Sequence, residues 1–254
     1  MTRALRRKEG LPEGSKTAAF PTHDRPWLNR VWYELIRQIG ELYFTITGGI
    51  RGGGRDNMPP LGGVLLVSNH LSYLDVFVLG IGANRPLNYV ARSTLFVPVL
   101  GPFIRSVGGF PIQREGMGAS GLKETLRRLR NGGVVLLFPE GTRSLDGRLA
   151  ELKSGIAVIA SRAKVPILPA GVAGTFQGWP RNRFYPLPHP VRVEFGPPIM
   201  PDELLGLSTE AITTLIHDRI DRCYREALRG LDRDLGVESP VPEPPSGTAS
   251  TLKG

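Results

Sequence analysis

VLLVSNHLSYLD (64–75) joins an uninterrupted apolar run to a histidine and an aspartate five residues apart. An apolar run of this kind reads as a β-strand. His70 then stands at the mouth of the strand, and Asp75 belongs to whatever follows. Four further runs share the strand-like character: LNYVA (87–91), VVLLFP (134–139), ILPAGVA (167–173) and VRVEFG (191–196). Residues 74–83, 118–131, 154–163 and 209–229 carry helical patterns. The alternation predicts an α/β fold, a mixed, largely parallel sheet flanked by helices. Ligands of such sheets gather beyond the carboxyl ends of the strands. Two strands here deliver chemically loaded loops, one running into His70 and one into Glu140.

Upstream, residues 27–47 change to helical spacing. Leu28, Val31, Trp32, Leu35, Ile39, Leu42, Tyr43 and Ile46 form one stripe, with Asn29, Arg30, Glu34, Arg37, Gln38 and Glu41 largely opposite. Two readings stand for this amphipathic helix. It lies in a bilayer interface, which its Trp and Tyr suit, or it packs on the protein's own core. Residues 1–26 are basic and punctuated by prolines, and read as a flexible arm. GGIRGGG (48–54) lacks the Gly-Lys-Ser/Thr ending of a phosphate-binding loop and reads as a flexible connector. The chain thus divides into an arm (1–26), an amphipathic helix with its linker (27–58), a folded domain (59–236) and a Pro/Ser/Gly-rich tail expected to be disordered (237–254).

At 254 residues, 41% hydrophobic and 22% charged, the body is globular in composition. A formal charge of +9 favours anionic partners without choosing among them. No nucleic-acid recognition motif accompanies it, so nucleic acid is not an expected partner. The single cysteine, Cys223, excludes an internal disulfide framework. His23, His70, His189 and His217 are scattered, and no metal site is expected. No apolar core follows the basic first ten residues, so no secretory signal is expected. Nor does any apolar stretch of about 18 residues occur, so membrane contact is expected to be peripheral.

His70 and Asp75 would not share a face of one continuous helix, being about 500° apart at ~100° per residue. They can meet if a turn precedes the helix and Asp75 sits in its first turn. A carboxylate on one imidazole nitrogen fixes the tautomer and leaves the other nitrogen to take a proton. That is the general-base half of a triad without a protein nucleophile. Many His/Asp pairs are merely structural, so the pair alone does not decide. FPEGTRS (138–144) adds Glu140, Gly141, Thr142 and Arg143 in a turn after a buried strand. Gly141 permits a close approach or an unusual φ, and Arg143 offers a planar fork for phosphate oxygens. Glu140 and Arg143 could also form an ion pair that shapes the loop. GGFPIQR (108–114) ends in Arg114, and VPILPAGV (165–172) has no ionisable side chain and suits an apolar wall.

These four segments, in this order, resemble the four blocks of the glycerophospholipid acyltransferase family, and most nearly its bacterial 1-acyl-sn-glycerol-3-phosphate (lysophosphatidic acid) acyltransferases. The first block is His-x-x-x-x-Asp, here His70 and Asp75. The second is a Gly-x-x-x-x-Arg segment, here Gly109 to Arg114. The third is FPEGTRS, matched in full, and the fourth is VPILPAGV. The likeness spans about residues 60–200. It implies that His70 deprotonates an acceptor hydroxyl as it attacks the thioester of acyl-CoA or acyl-carrier protein, with Asp75 orienting His70. It implies that Arg114, Glu140, Gly141, Thr142 and Arg143 line a glycerol phosphate site. Arg92 would join them, at a position where the family often carries lysine. The expected product is phosphatidic acid, from the sn-2 hydroxyl of 1-acyl-glycerol-3-phosphate. A lyso-aminolipid or glycolipid acceptor is the alternative, and a non-catalytic lipid-binding protein a third. No cofactor beyond the acyl donor is implied. An oxyanion donor is expected from a backbone N–H near the His70 turn or from the fourth block. The implied location is peripheral, on the cytoplasmic face of the cell membrane, with the basic arm drawn to anionic lipid.

Overall fold

The structure, a computed structural model, describes residues 27–112 and 118–238. The basic arm, Arg114 and most of the tail lie outside the described residues. VLLVS forms β2 (Val64–Ser68) at the middle of a seven-stranded sheet. Around it run β1 (Ile50–Gly53), β3 (Leu87–Arg92), β4 (Gly109–Ile112), β5 (Val134–Leu137), β6 (Ile167–Ala173) and β7 (Val191–Phe195), in the order β1-β7-β6-β2-β5-β3-β4. From β6 through β4 neighbouring strands are parallel; β7 turns antiparallel to β6 and carries β1 parallel to itself. The chain leaves β2 toward β3 and β4, returns through β5, then crosses to β6. That reversal beside β2 is the kind of switch point where α/β sheets bind ligands.

The four residues Val64 to Val67 are fully buried because successive side chains enter opposite cores. Val64 and Leu66 meet α2 (Leu74–Gly82) through Leu74, Val78 and Leu79 on one face, where Phe44 of α1 (Trp27–Thr47) also packs. Leu65 and Val67 meet α4 (Gly118–Arg130), α5 (Gly155–Ala163) and α7 (Thr209–Leu235) on the other, through Leu129, Ile159 and Ile216. Each such leucine or isoleucine contributes about 1.5–3 kcal/mol when fully buried. The strand is therefore anchored from both sides before its loop begins.

Four elements differ from the sequence expectation. GGIRGGG is not a loose connector, since Ile50–Gly53 pairs with β7 from Ile50↔Val191 to Gly53↔Glu194. Glycine makes the pairing possible: Gly52 has φ 153°, and a Cβ there would stand 1.7 Å from Val193 O. The last helix, expected to stop at 229, passes through Gly230 to Leu235 and ends at Gly236 with φ 66°. At Gly230 the missing Cβ makes room for the Arg192 guanidinium, which reaches Asp234. Finally, α3 (Leu100–Ser106) and the edge strand β4 were not foreseen. Pro111 is tolerated in β4 because an edge strand has ladder donors to spare.

The helix over 27–47 forms as expected, but it turns its apolar stripe outward. Tyr33, Ile36 and Gly40 line its contact with α2, while Val31, Leu35, Ile39, Leu42 and Ile46 are exposed. Among the described residues no helix is long and apolar enough to cross a membrane.

Helix α7 packs on β6 so closely that Gly171, in the fourth sequence block, has no room for a side chain. A Cβ there would lie 2.2 Å from Tyr224 N and 2.3 Å from Cys223 C, both backbone atoms. Gly171→Ala should therefore destabilise the fold by about 2 kcal/mol or more, read as the urea midpoint. Gly155→Ala, in open space at the start of α5, should be neutral or stabilising; equal midpoints for the two variants would contradict the packing described.

Candidate active site

The carboxyl ends of β6, β2, β5 and β3 lie side by side, so the loops that follow them share one edge of the sheet. At the end of β2 the Asn69 side chain extends the ladder, with Nδ2 donating to Val172 O (2.9 Å) and Oδ1 accepting from Val172 N (2.8 Å). His70 follows. A turn then brings the chain to α2, where Asp75 is the second residue. This is the geometry in which a five-residue spacing can close. His70 Nδ1 and Asp75 Oδ2 are 2.9 Å apart, with the imidazole partly exposed and the carboxylate fully buried.

Burying a carboxylate is costly unless its lone pairs are filled. Asp75 Oδ2 also accepts from the backbone N–H of Leu71 (2.6 Å) and Ser72 (2.8 Å). Oδ1 accepts from Thr175 Oγ1 at 2.6 Å. Thr175 opens the short helix α6 (Thr175–Gly178), reached from β6 through Gly174 in the left-handed conformation. Asp75 is thereby fixed on four sides, and it fixes the imidazole in turn.

The loop after β5 holds His70 by every other part. Its ring stacks on Phe138, with centroids 3.9 Å apart and planes 12° from parallel. Its backbone N–H donates to Glu140 Oε1 (2.6 Å), and its carbonyl accepts from Ser144 N (2.7 Å). The second oxygen of Glu140 accepts from Ala150 N (2.9 Å). Ser144 Oγ receives Gly147 N and Arg148 N, and Tyr224 of α7 donates to Gly147 O, so the loop is tied down along its length. Burial pushes the Glu140 carboxyl up to about 7, against the two N–H donors that hold it down; Asp75 and Asp146 add to the rise.

The expected role of Glu140 is corrected by this placement. It forms no ion pair with Arg143 among the described residues. It is buried, and both oxygens hold backbone N–H groups, so it shapes the site rather than lining it. The oxyanion expectation changes as well: the N–H groups of His70, Leu71 and Ser72 are already engaged, as is that of Val172 in the fourth block. Gly141 takes φ 73° at the turn, and a Cβ there would stand 2.7 Å from Lys153 Nζ. Thr142 is exposed beside it. The Arg143 guanidinium lies over the Tyr73 ring, 3.6 Å from its centroid. Stacking occupies its face and leaves its in-plane N–H donors available. Arg92 ends β3 on the exposed side of the same edge.

No described protein group bonds His70 Nε2. The hydroxyls nearest the pair are otherwise engaged, Ser72 Oγ with Trp179 O (2.8 Å) and Thr175 Oγ1 with Asp75. The arrangement can thus accept a proton at Nε2 from an incoming hydroxyl, with no protein nucleophile between. Among the described residues no three His, Cys, Asp or Glu side chains are placed to hold a metal ion. Asn69, Phe138, Ser144 and Thr175 were not singled out in the sequence. Asn69 had one local signal, a polar residue directly after an apolar strand. Thr175 had none, lying 100 residues from its partner.

A largely parallel sheet with a fixed His/Asp pair at its switch point is an arrangement able to support general-base group transfer, and comparison with known proteins shows the family. The family model described as Acyltransferase matches residues 49–173. The 1-acyl-sn-glycerol-3-phosphate acyltransferase of Bacillus subtilis is 30% identical over 148 residues, covering 58% of this chain and 73% of that protein. The lyso-ornithine lipid O-acyltransferase of Rhizobium meliloti is 28% identical over 251 residues, covering 86% and 82%. The crystal structure of the 1-acyl-sn-glycerophosphate acyltransferase PlsC from Thermotoga maritima superposes with a TM-score of 0.67 at 26% identity, covering 82% of this chain and 85% of that one. The chain belongs to the acyltransferase family, and it is an enzyme of that class.

Two outcomes follow from the geometry. Between about pH 4.5 and 7 the unfolded chain has released the Glu140 proton while the native state keeps it. The native state binds more protons, so stability falls as the pH rises through that window, by about 3 kcal/mol in all. Urea midpoints of the wild type should fall relative to Glu140→Gln across this range; parallel curves would refute the assignment. Thr175→Val should lower kcat about tenfold, the worth of one strong hydrogen bond, with Thr175→Ser restoring it and KM little changed. A full-rate Thr175→Val enzyme would show that Asp75 does not need this bond.

Proposed function

We propose that the protein transfers a fatty acyl group from acyl-CoA or acyl-carrier protein to the sn-2 hydroxyl of 1-acyl-glycerol-3-phosphate. The observation that carries this reading is an Asp75-locked His70 whose Nε2 has no bond among the described residues, with Arg143 stacked on Tyr73 of the same turn and in no ion pair among those residues. The hydroxyl gives its proton to Nε2 as its oxygen attacks the thioester carbonyl. The C–O bond forms, the C–S bond breaks, and the proton passes from the imidazolium to the leaving thiolate. Asp75 stabilises the imidazolium throughout. Arg143 and Arg92, with Thr142 at the Gly141 turn, take the phosphate of the acceptor; Arg114 is assigned to the same site from its sequence block alone. Peripheral attachment to the cytoplasmic face of the membrane fits the outward apolar stripe of α1, which can enter the interface while the +9 charge favours anionic lipid.

A second reading keeps the chemistry and changes the acceptor to a lyso-aminolipid. It is favoured by the long match to the Rhizobium meliloti protein, which extends over 86% of this chain. The two are separated by supplying one acyl donor with a panel of lyso-lipids and identifying products by mass spectrometry. The phosphate monoester should be the preferred acceptor, and a preference for a lyso-lipid without phosphate would displace the first reading. His70→Ala should lose about 10²–10⁴-fold in kcat; retention of full activity would remove the general-base mechanism.

A further inference from the structure

Arg181 stands outside all four sequence blocks, yet the fold carries it to the same edge of the sheet. Trp179 is anchored to the His70 turn: its carbonyl accepts from Ser72 Oγ (2.8 Å), and its ring meets Tyr73 edge-on at 5.6 Å. Pro180 to Arg183 then close a tight turn, with Arg183 N donating to Pro180 O (3.2 Å). The Trp179 indole N–H donates to Arg183 O (2.9 Å), which locks the turn onto its anchor. Arg181 is thus held at a tip whose position the catalytic turn dictates. Its Nη1 lies 3.5 Å from Thr142 Oγ1, in the loop that carries Arg143. Its neighbour Arg183 differs, because its guanidinium is directed back to Gln177 O (3.4 Å).

We propose that Arg181 is a substrate-binding residue that completes a three-arginine site with Arg143 and Arg92 for a phosphate ester of the substrate. None of the three forms an ion pair with a carboxylate among the described residues. Burial first, and then the charges of Arg181 and Arg92, hold the Arg143 guanidinium below its ordinary value, with Tyr73 and Asp75 opposing. Cations brought together without an anion repel, and a doubly charged phosphate monoester relieves that repulsion while offering oxygens to several forks at once. An open cleft lined by Leu145, Phe176, Pro180, Arg181, Asn182 and Arg183 lies beside the tip and leaves room for a headgroup. The phosphate can belong to the acyl acceptor or to the acyl donor. The inference rests on the acyl-transfer reading above.

The test compares wild type, Arg181→Lys and Arg181→Gln in steady-state assays. Each is run with acyl-CoA and with either a lysophosphatidic acid or a lyso-ornithine lipid. Binding of a short-chain lysophosphatidic acid to the same proteins is followed by calorimetry without donor. Arg181→Gln should raise KM and Kd for the phosphate-bearing acceptor about tenfold, with Arg181→Lys between and kcat little changed. A rise confined to the acyl-CoA KM would assign the site to the donor phosphate instead. Unchanged constants, or an equal loss with the phosphate-free acceptor, would overturn the proposal. Absence of turnover by the wild type with lysophosphatidic acid would count against the functional reading alone, because the calorimetric comparison still decides the role of Arg181.

Discussion

A carboxylate with no exposure to water, at the end of a fully buried strand, sets the conditions for everything around it. Asp75 must have its oxygens filled, and the fold fills them with two backbone N–H groups, one threonine hydroxyl and one imidazole nitrogen. Each donor comes at a structural cost. The chain between His70 and α2 has to curl so that Leu71 and Ser72 point inward, and β6 has to run far enough for Gly174 to turn Thr175 beneath α2. The imidazole is the one donor of the four that still reaches solvent, so its other nitrogen is where the arrangement can act. Asp75 and β2 cannot be altered separately, since the strand supplies the position and the carboxylate supplies the turn.

Glu140 plays the matching part on the other side. Two buried carboxylates flank one histidine, Asp75 gripping its ring and Glu140 its backbone N–H, while Phe138 covers the ring face. The third sequence block is therefore first a cradle for the first block, and its exposed part is the Gly141–Arg143 turn. The cradle also limits the chemistry. With the N–H groups of residues 70–72 engaged, the developing oxyanion has to be met elsewhere. The Ser72 and Thr175 hydroxyls, the two that contact the His70 turn and Asp75, are both engaged in hydrogen bonds.

Much of this was legible in the sequence, for reasons that can be named. The unbroken apolar run at 64–68 announced a strand, and the helix over 27–47 was readable to its ends because its stripe repeats without interruption. Periodicity did not tell which way the stripe faces. It faces outward, because Tyr33, Ile36, Gly40 and Phe44 make the inner contact. GGIRGGG misled because glycine usually signals flexibility, whereas here it permits β1 to lie against the β7 backbone. The His70–Asp75 contact was foreseeable as a condition on where α2 begins. The burial of Glu140 was not, since its partners, His70 N and Ala150 N, are backbone groups that leave no trace in residue identity. Thr175 and Arg181 were hidden for a related reason: they reach the site by topology, through a strand placed beside β2 only when the sheet forms.

The central claim is that the acceptor hydroxyl attacks the thioester directly, with His70 as base and no acylated protein on the path. Intact-protein mass spectrometry, with thiol release followed in parallel, after rapid mixing with acyl-CoA alone tests this most directly. The account predicts no mass increase and no burst of thiol until a lyso-lipid is added. A protein one acyl group heavier, which then passes that group to an acceptor, would contradict it.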